Sequence, residues 1–161
     1  MADISLTRLS DIDEDAIIDL MNDPAVGRHM PLLAAGFSAP DCRAFRAAKQ
    51  AMWDRHGFGP HAILIDGRFA GWGGLQPQDG EADFALVLHP DHWGAGLRIF
   101  RLFRDAAFGS MGLDSITALL PPDRSNRRAI LRLGFVEEGL VAIDGAAFVR
   151  FRLHGRSPGR R

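Results

Sequence analysis

A Gly94-x-Gly96 turn lies between the apolar run ending at Leu88 and a stretch of helical periodicity starting near Leu97. Glycines let a backbone come close to a ligand, and the first amides of a helix are unpaired donors. The helix macrodipole adds about half a positive charge at that end, so a phosphate or pyrophosphate is the natural guest. Many ordinary turns also carry two glycines, and this one is neither a Walker loop nor a GxGxxG dinucleotide fingerprint. A second candidate runs from Asp123 to Phe135; it reads as an amphipathic helix with a basic face, for which solvation is the plainest role. His29, His61, His89 and His92 are candidate bases or substrate contacts, but no pair has the HxxxH spacing of a metal site. His89 and His92 flank the glycine turn and read first as packing or capping residues. Trp53, Trp72 and Trp93 read as core or rim.

The elements that must position these residues belong to one domain, because 161 residues fall within the ~100–200 expected of a single unit. Hydrophobic residues make up 47% and charged residues 24%, enough to build a core. The 19 basic and 20 acidic residues give a formal net charge of −1, which argues against a dedicated nucleic-acid binder. The N-terminus has no signal-peptide pattern and no stretch reaches the ~18 apolar residues of a membrane helix, so the cytoplasm is the expected compartment and no membrane partner is expected. Cys42 is the one cysteine, which removes intrachain disulfides and cysteine metal clusters; it reads as a small buried helix residue. The chain has no tyrosine, and Lys49 is its only lysine.

Alternation predicts a strand over Ile4–Leu9. A helix capped by Asp11 or Asp13 follows to Met21, and 24–38 reads as irregular. A second helix is expected from Pro40 to Arg55. Strands at His61–Ile65 and Phe69–Leu75 flank an Asp66-Gly67 hairpin turn. Gln76–Gly80 reads as a turn, and the nearly all-apolar Asp83–Leu88 as a central strand. After the glycine turn a helix runs to Phe108, with Leu97, Phe100, Phe103, Ala107 and Phe108 on its inner face. A strand at Ser115–Leu120, a helix from Asp123 or Ser125 to Leu133 stopped by Gly134, and a hairpin of Val141–Ile143 with Ala147–Leu153 complete the order. Interleaved strands and helices imply an α/β domain over 1–154, with helices on both faces of a mixed sheet and a disordered basic tail at 155–161.

Three segments in this order carry a family resemblance. They are Ile4–Leu9 with its helix and Asn22-Asp23-Pro24-Ala25-Val26; His89-Pro90-Asp91-His92-Trp93-Gly94-Ala95-Gly96-Leu97; and Leu131-Arg132-Leu133-Gly134-Phe135. Together the chain resembles the GCN5-related N-acetyltransferase (GNAT) family over residues 4–154, and in particular the branch similar to ribosomal-protein alanine acetyltransferases. That resemblance implies a mostly antiparallel sheet of about six or seven strands, splayed at the central one by a strand bulge. It implies acetyl-coenzyme A as cosubstrate, no metal, and a primary amine of a small molecule or protein N-terminus as acceptor.

By the same resemblance, Leu86, Val87 and Leu88 would pair with the pantetheine arm, and an amide near Leu88 would polarise the thioester carbonyl. The amides of Trp93, Gly94, Ala95, Gly96, Leu97 and Arg98 would hold the pyrophosphate. Arg98 replaces the signature's last small residue and is expected to add a salt bridge. Asp123 stands where the family has a helix-starting Asn, which would weaken donor binding; Asn126 lies beside it. Asp83 sits where many relatives carry a catalytic glutamate, with Glu81 as the fallback base; a solvent-exposed strand-end charge is the competing reading of Asp83. The usual tyrosine acid maps to Ile130, so the thiolate leaves unassisted or Ser125, Asn126 or water assists. Arg28 and His29 lie in the loop expected to border the acceptor entrance. Two functions follow: an acetyl-CoA-dependent N-acetyltransferase, or a non-catalytic acyl-CoA sensor, which the missing tyrosine, Asp123 and Arg98 would favour. An RNA-modifying toxin fits poorly with the net charge. The oligomeric state is open, a homodimer being one option.

Overall fold

A computed structural model describes residues 2–28, 30, 36–122 and 127–155. The chain opens with β1 (Ile4–Thr7), shorter than expected. The Asp11 carboxylate accepts hydrogen bonds from the Thr7 hydroxyl and the Arg8 amide, which turns the chain into a single 3-10 turn at Leu9–Asp11. Helix α1 (Glu14–Met21) follows Asp13 and buries Ile17, Leu20 and Met21. The stretch expected to be irregular begins with a short helix α2 (Pro24–Gly27), because the Asp23 side chain accepts from the Ala25 amide and Pro24 fits a first helical turn. Asn22 closes the following loop, donating to the Phe37 carbonyl (2.8 Å) and accepting from the Phe37 amide (3.0 Å).

Helix α3 (Ala39–His56) starts from a capping box, with the Asp41 amide donating to Ser38 Oγ and the Ser38 amide to Asp41 Oδ2. A cap of this kind contributes about 1 kcal/mol. Cys42 is fully buried on this helix, as expected.

Three Asp-Gly pairs make the hairpins. Asp66-Gly67 joins β2 (His61–Ile65) to β3 (Arg68–Gln78), Asp79-Gly80 joins β3 to β4 (Glu81–Leu88), and Asp144-Gly145 joins the last two strands. All six residues have positive φ, the requirement of a tight two-residue turn that matches strand twist. The turn expected over Gln76–Gly80 is therefore only two residues long. That difference puts Asp83 inside β4 rather than at its end.

A 3-10 segment, Pro90–Ala95, leads into α4 (Gly96–Phe108), whose inner face is Ile99, Phe100, Phe103 and Ala107. Leu97 is not on that face; it is 45% exposed, at the helix start beside the glycine turn. Next come β5 (Ser115–Leu120), α5 (Arg127–Arg132), β6 (Val136–Ile143) and β7 (Ala146–His154). Gly134, at φ +102°, stops α5 in a conformation that few other residues adopt. The seven strands lie in the order β1-β2-β3-β4-β5-β7-β6, and every neighbouring pair is antiparallel except β4–β5.

Helices cover both faces, as expected. On one, α4 packs its phenylalanines on Ala82, Leu88, Ile116, Ala118, Val149 and Phe151. Each such Phe, fully buried, is worth roughly 1.5–3 kcal/mol. On the other, α1–α3 bury Ile17, Leu20, Cys42 and Phe45 against Ala62, Trp72, Ala85 and Val87. Strand alternation thus sends Ala82, Phe84, Leu86 and Leu88 to the α4 side, and Asp83, Ala85 and Val87 to the α1–α3 side. Among the described residues, no helix is long and apolar enough to cross a membrane.

Candidate active site

The sheet opens at its centre. β4 pairs with β5 only at Asp83↔Thr117 and Phe84↔Ala118. Beyond that point β4 stays in register with β3 through Leu88, and β5 stays with β7 through Leu120. The two halves therefore part, and the β5-facing edge of Ala85, Leu86, Val87 and Leu88 has no strand partner. Unpaired strand edges are templates for another extended, amide-bearing chain. No register shift between β3 and β4 accompanies the parting, so the bulge expected there is not what opens it. Each strand follows the neighbour with which it has the longer ladder.

The end of β4 is tied to the glycine turn. Trp93 Nε1 donates to the Leu88 carbonyl (2.9 Å) while more than half of the Trp93 surface stays exposed, which makes it a rim residue. His89 acts as a cap, its Nδ1 accepting from the Asp91 amide (3.2 Å). Residues 90–95 form a 3-10 turn in which the Gly96 amide donates to the Trp93 carbonyl. That amide is consumed locally, so the full run of six donors expected from 93 to 98 is not free in this conformation.

The two glycines have no internal reason to be glycine. Neither has a positive φ, and Gly96 is helical (φ −57°, ψ −41°). A Cβ at Gly94 would meet nothing within 4 Å, and one at Gly96 would only touch Leu86 Cδ2 at 3.9 Å. Glycine in a helix costs roughly 0.5–1 kcal/mol relative to alanine. Nothing within the described chain offsets that cost, whereas a ligand lying against the bare backbone would. Arg98 is exposed here, with no ion-pair partner among the described residues.

Asp83 lies at the fork where β4 and β5 separate. It is only 3% exposed, so the strand-end charge reading does not hold. Its Oδ1 accepts from the Thr117 hydroxyl (2.7 Å). Burial pushes its carboxyl pKa up to about 7, against the partly compensating effects of the Thr117 hydrogen bond and of the Lys49 and Arg150 charges. Lys49 reaches in from α3. Its Nζ donates to Gln76 Oε1 (2.8 Å), on the residue facing Asp83 across β3, and lies 5.0 Å from the Trp72 ring centre. Burial brings its pKa down to about 8, and Asp83 opposes that shift. A carboxyl titrating near neutrality at the mouth of a sheet opening suits proton acceptance at physiological pH.

Glu81 is differently placed. Both its oxygens are held by Arg152 (2.8 and 3.3 Å), which also donates to Ser115 Oγ (2.8 Å) and Glu138 Oε2 (2.9 Å). This network ties β4, β5, β6 and β7 together below the fork, so Glu81 is engaged in structure rather than offered as a second base.

A sequence profile of the acetyltransferase (GNAT) domain matches residues 3–136. The chain belongs to the GNAT acetyltransferase family. Solved structures share its fold: an acetyltransferase from Agrobacterium tumefaciens (TM-score 0.73, 21% identity, 94% of this chain and 91% of that one) and a GNAT-family acetyltransferase from Bordetella pertussis (TM-score 0.72, 22% identity, 93% and 95%). Mycobacterium smegmatis RimJ, solved in complex with CoA-disulfide, aligns with a TM-score of 0.68 at 22% identity over 94% of this chain and 81% of that one. A search of curated proteins produced no match.

GNAT enzymes use acetyl-CoA, and the opening with its bare glycine turn fits such a group. Of the positions expected to hold it, Leu86, Val87 and Leu88 line the unpaired edge, while Trp93, Gly94, Ala95, Gly96, Leu97 and Arg98 surround the turn. Asp123, Ser125 and Asn126 lie outside the described residues, as does His29. Arg28 is exposed at the end of α2. His61 is wedged between the Trp53 and Phe103 rings, where burial lowers its pKa; it is a packed histidine. Lys49, Gln76, Thr117 and Arg150 surround Asp83 without belonging to any motif of the sequence. The solitary lysine is the one signal among them that the sequence carries.

Proposed function

We propose that this GNAT protein is an acetyl-CoA-dependent N-acetyltransferase in which a primary amine attacks directly within a ternary complex. The observation that carries this reading is Asp83: a buried carboxyl with a pKa near 7, hydrogen-bonded by Thr117, at the fork of β4 and β5. Acetyl-CoA, when bound, supplies an activated acyl group and a thiolate leaving group. The edge of Ala85–Leu88 aligns its arm, and the 93–98 turn, with Arg98, binds the diphosphate. Asp83, ionised above about pH 7, takes the proton of the attacking ammonium directly or through water. Lys49 holds compensating charge near that carboxylate. A thiol of pKa near 8.5 leaves acceptably without an acid, which is consistent with a chain that has no tyrosine.

Thiol release from acetyl-CoA across a set of primary amines tests the reading. Amine-dependent release supports it; tight coenzyme A binding without turnover on any amine would instead support an acyl-CoA sensor. A companion prediction concerns Lys49. Lys49→Met removes a charge that holds the Asp83 pKa down, so the acid limb of the rate profile moves to higher pH, while Lys49→Arg moves it less.

A further inference from the structure

Building on the N-acetyltransferase reading, we propose that the acceptor is an α-amino acid whose carboxylate is bound by Arg150. The placement follows from the register. Arg150 on β7 faces Leu119, two residues beyond Thr117 along β5 and on the same side of the sheet as Asp83. At that level β5 has already left β4; Arg150 lies one strand beyond the β5 bank, on the same face as Asp83 and near enough for its charge to act on that carboxyl. The apolar cluster under α1–α3 takes strand residues only from β2, β3 and β4, so this half of the face is not part of that core.

Arg150 is also under-used. Its neighbour on the same face, Arg152, is fully engaged by Glu81, Ser115 and Glu138. The Arg150 side chain makes no hydrogen bond among the described residues; its Nε forms an ion pair with Glu138 Oε1 at 3.4 Å. That Nε is one of two buried side-chain polar atoms without a hydrogen-bond partner among the described residues, the other being His61 Nδ1. Its one partner is thus the Glu138 charge, and the hydrogen-bonding capacity of the guanidinium is unused among the described residues. The guanidinium presents five donors in a planar fork that matches a carboxylate, and its side chain is 31% exposed.

An α-amino acid carries an ammonium and a carboxylate on one carbon. Asp83 on β4 and Arg150 on β7, with β5 between them, present the opposite charges in the opposite sense on one face of the sheet. The amine would meet Asp83, losing its proton there, with the carboxylate anchored on Arg150 and the side chain directed outward. A primary amine without the carboxylate lacks the second anchor, and so does a peptide N-terminus, whose first carboxyl is an amide.

The test compares the standard L-amino acids with their amides and with the corresponding decarboxylated amines, by thiol release. Free amino acids are expected to exceed both other classes in kcat/KM by about 10- to 100-fold, the value of a charge-assisted anchor. In Arg150→Gln that preference collapses, chiefly through KM, while the coenzyme A dissociation constant reports that the fold is intact. Equal rates on amines or amides overturn the proposal and leave the transferase reading standing. Should no acceptor turn over, the transferase reading fails, and calorimetry with N-acetyl-amino acids decides the carboxylate site: binding lost in Arg150→Gln supports it, and absence of binding to the parent protein overturns it.

Discussion

Asp83→Asn is expected to lower kcat by about 10²–10⁴-fold, the usual worth of a positioned general base, while making the fold more stable above pH 7. The substitution keeps the shape and leaves Oδ1 to accept the Thr117 hydrogen bond, but removes the proton-accepting carboxylate. The stability sign follows from linkage. The Asp83 pKa is raised from its unfolded value near 3.8 to about 7 in the fold. The folded protein therefore binds a proton that the unfolded chain has already released. That contribution is full below the unfolded pKa, declines as pH rises toward 7, and is gone above it. The gain in Tm of Asp83→Asn over the parent should accordingly be larger at pH 8 than at pH 5. Thermal melts at the two pH values and the saturating rate check both halves. A variant less stable at both, or fully active, contradicts the assignment.

Gly94→Glu should abolish useful cofactor affinity without harming the fold. An added Cβ at Gly94 meets no atom within 4 Å, so the side chain has room. It would nevertheless set a carboxylate against the backbone proposed to hold a diphosphate. Like charges in close contact cost several kcal/mol, equivalent to at least about a 100-fold rise in the coenzyme A dissociation constant. Pantetheine, which carries no diphosphate, should lose far less. Calorimetry with both ligands separates the two effects. Equal losses, or a fall in Tm of several degrees, would show that the residue matters to the chain rather than to the nucleotide.

The parts of this molecule legible in its sequence are those dictated locally. Asp66-Gly67 and Asp144-Gly145 announce their hairpins, and the apolar Asp83–Leu88 run a central strand, because turn chemistry and burial act over a few residues; Asp79-Gly80 is hidden within the longer turn expected over Gln76–Gly80. Element ends were read less well. Glu137 and Glu138 hid the first half of β6, although Glu138 points to Arg150 and Arg152. Leu97 broke the helical pattern because it sits at the helix start, where the inner face begins at Ile99. The Asp23-Pro24 signal of α2 is present in the sequence, but it opens a single helical turn too short to show a periodic pattern within 24–38. The site itself depends on convergence. Lys49, Gln76, Asp83, Thr117 and Arg150 come from α3, β3, β4, β5 and β7, and no spacing along the chain relates them. Their meeting is set by which strand pairs with which, and the depth of Asp83 by one hairpin turn being shorter than composition suggested.

A crystal structure of the complex with coenzyme A is the most direct test. The reading predicts the pantetheine arm lying along Ala85–Leu88 in the gap left by β5, the diphosphate on the turn at Gly94 and Gly96, and the sulfur close to the Asp83 carboxyl. A bound cofactor outside the gap, or one whose sulfur lies on the far side of the sheet from Asp83, would contradict it.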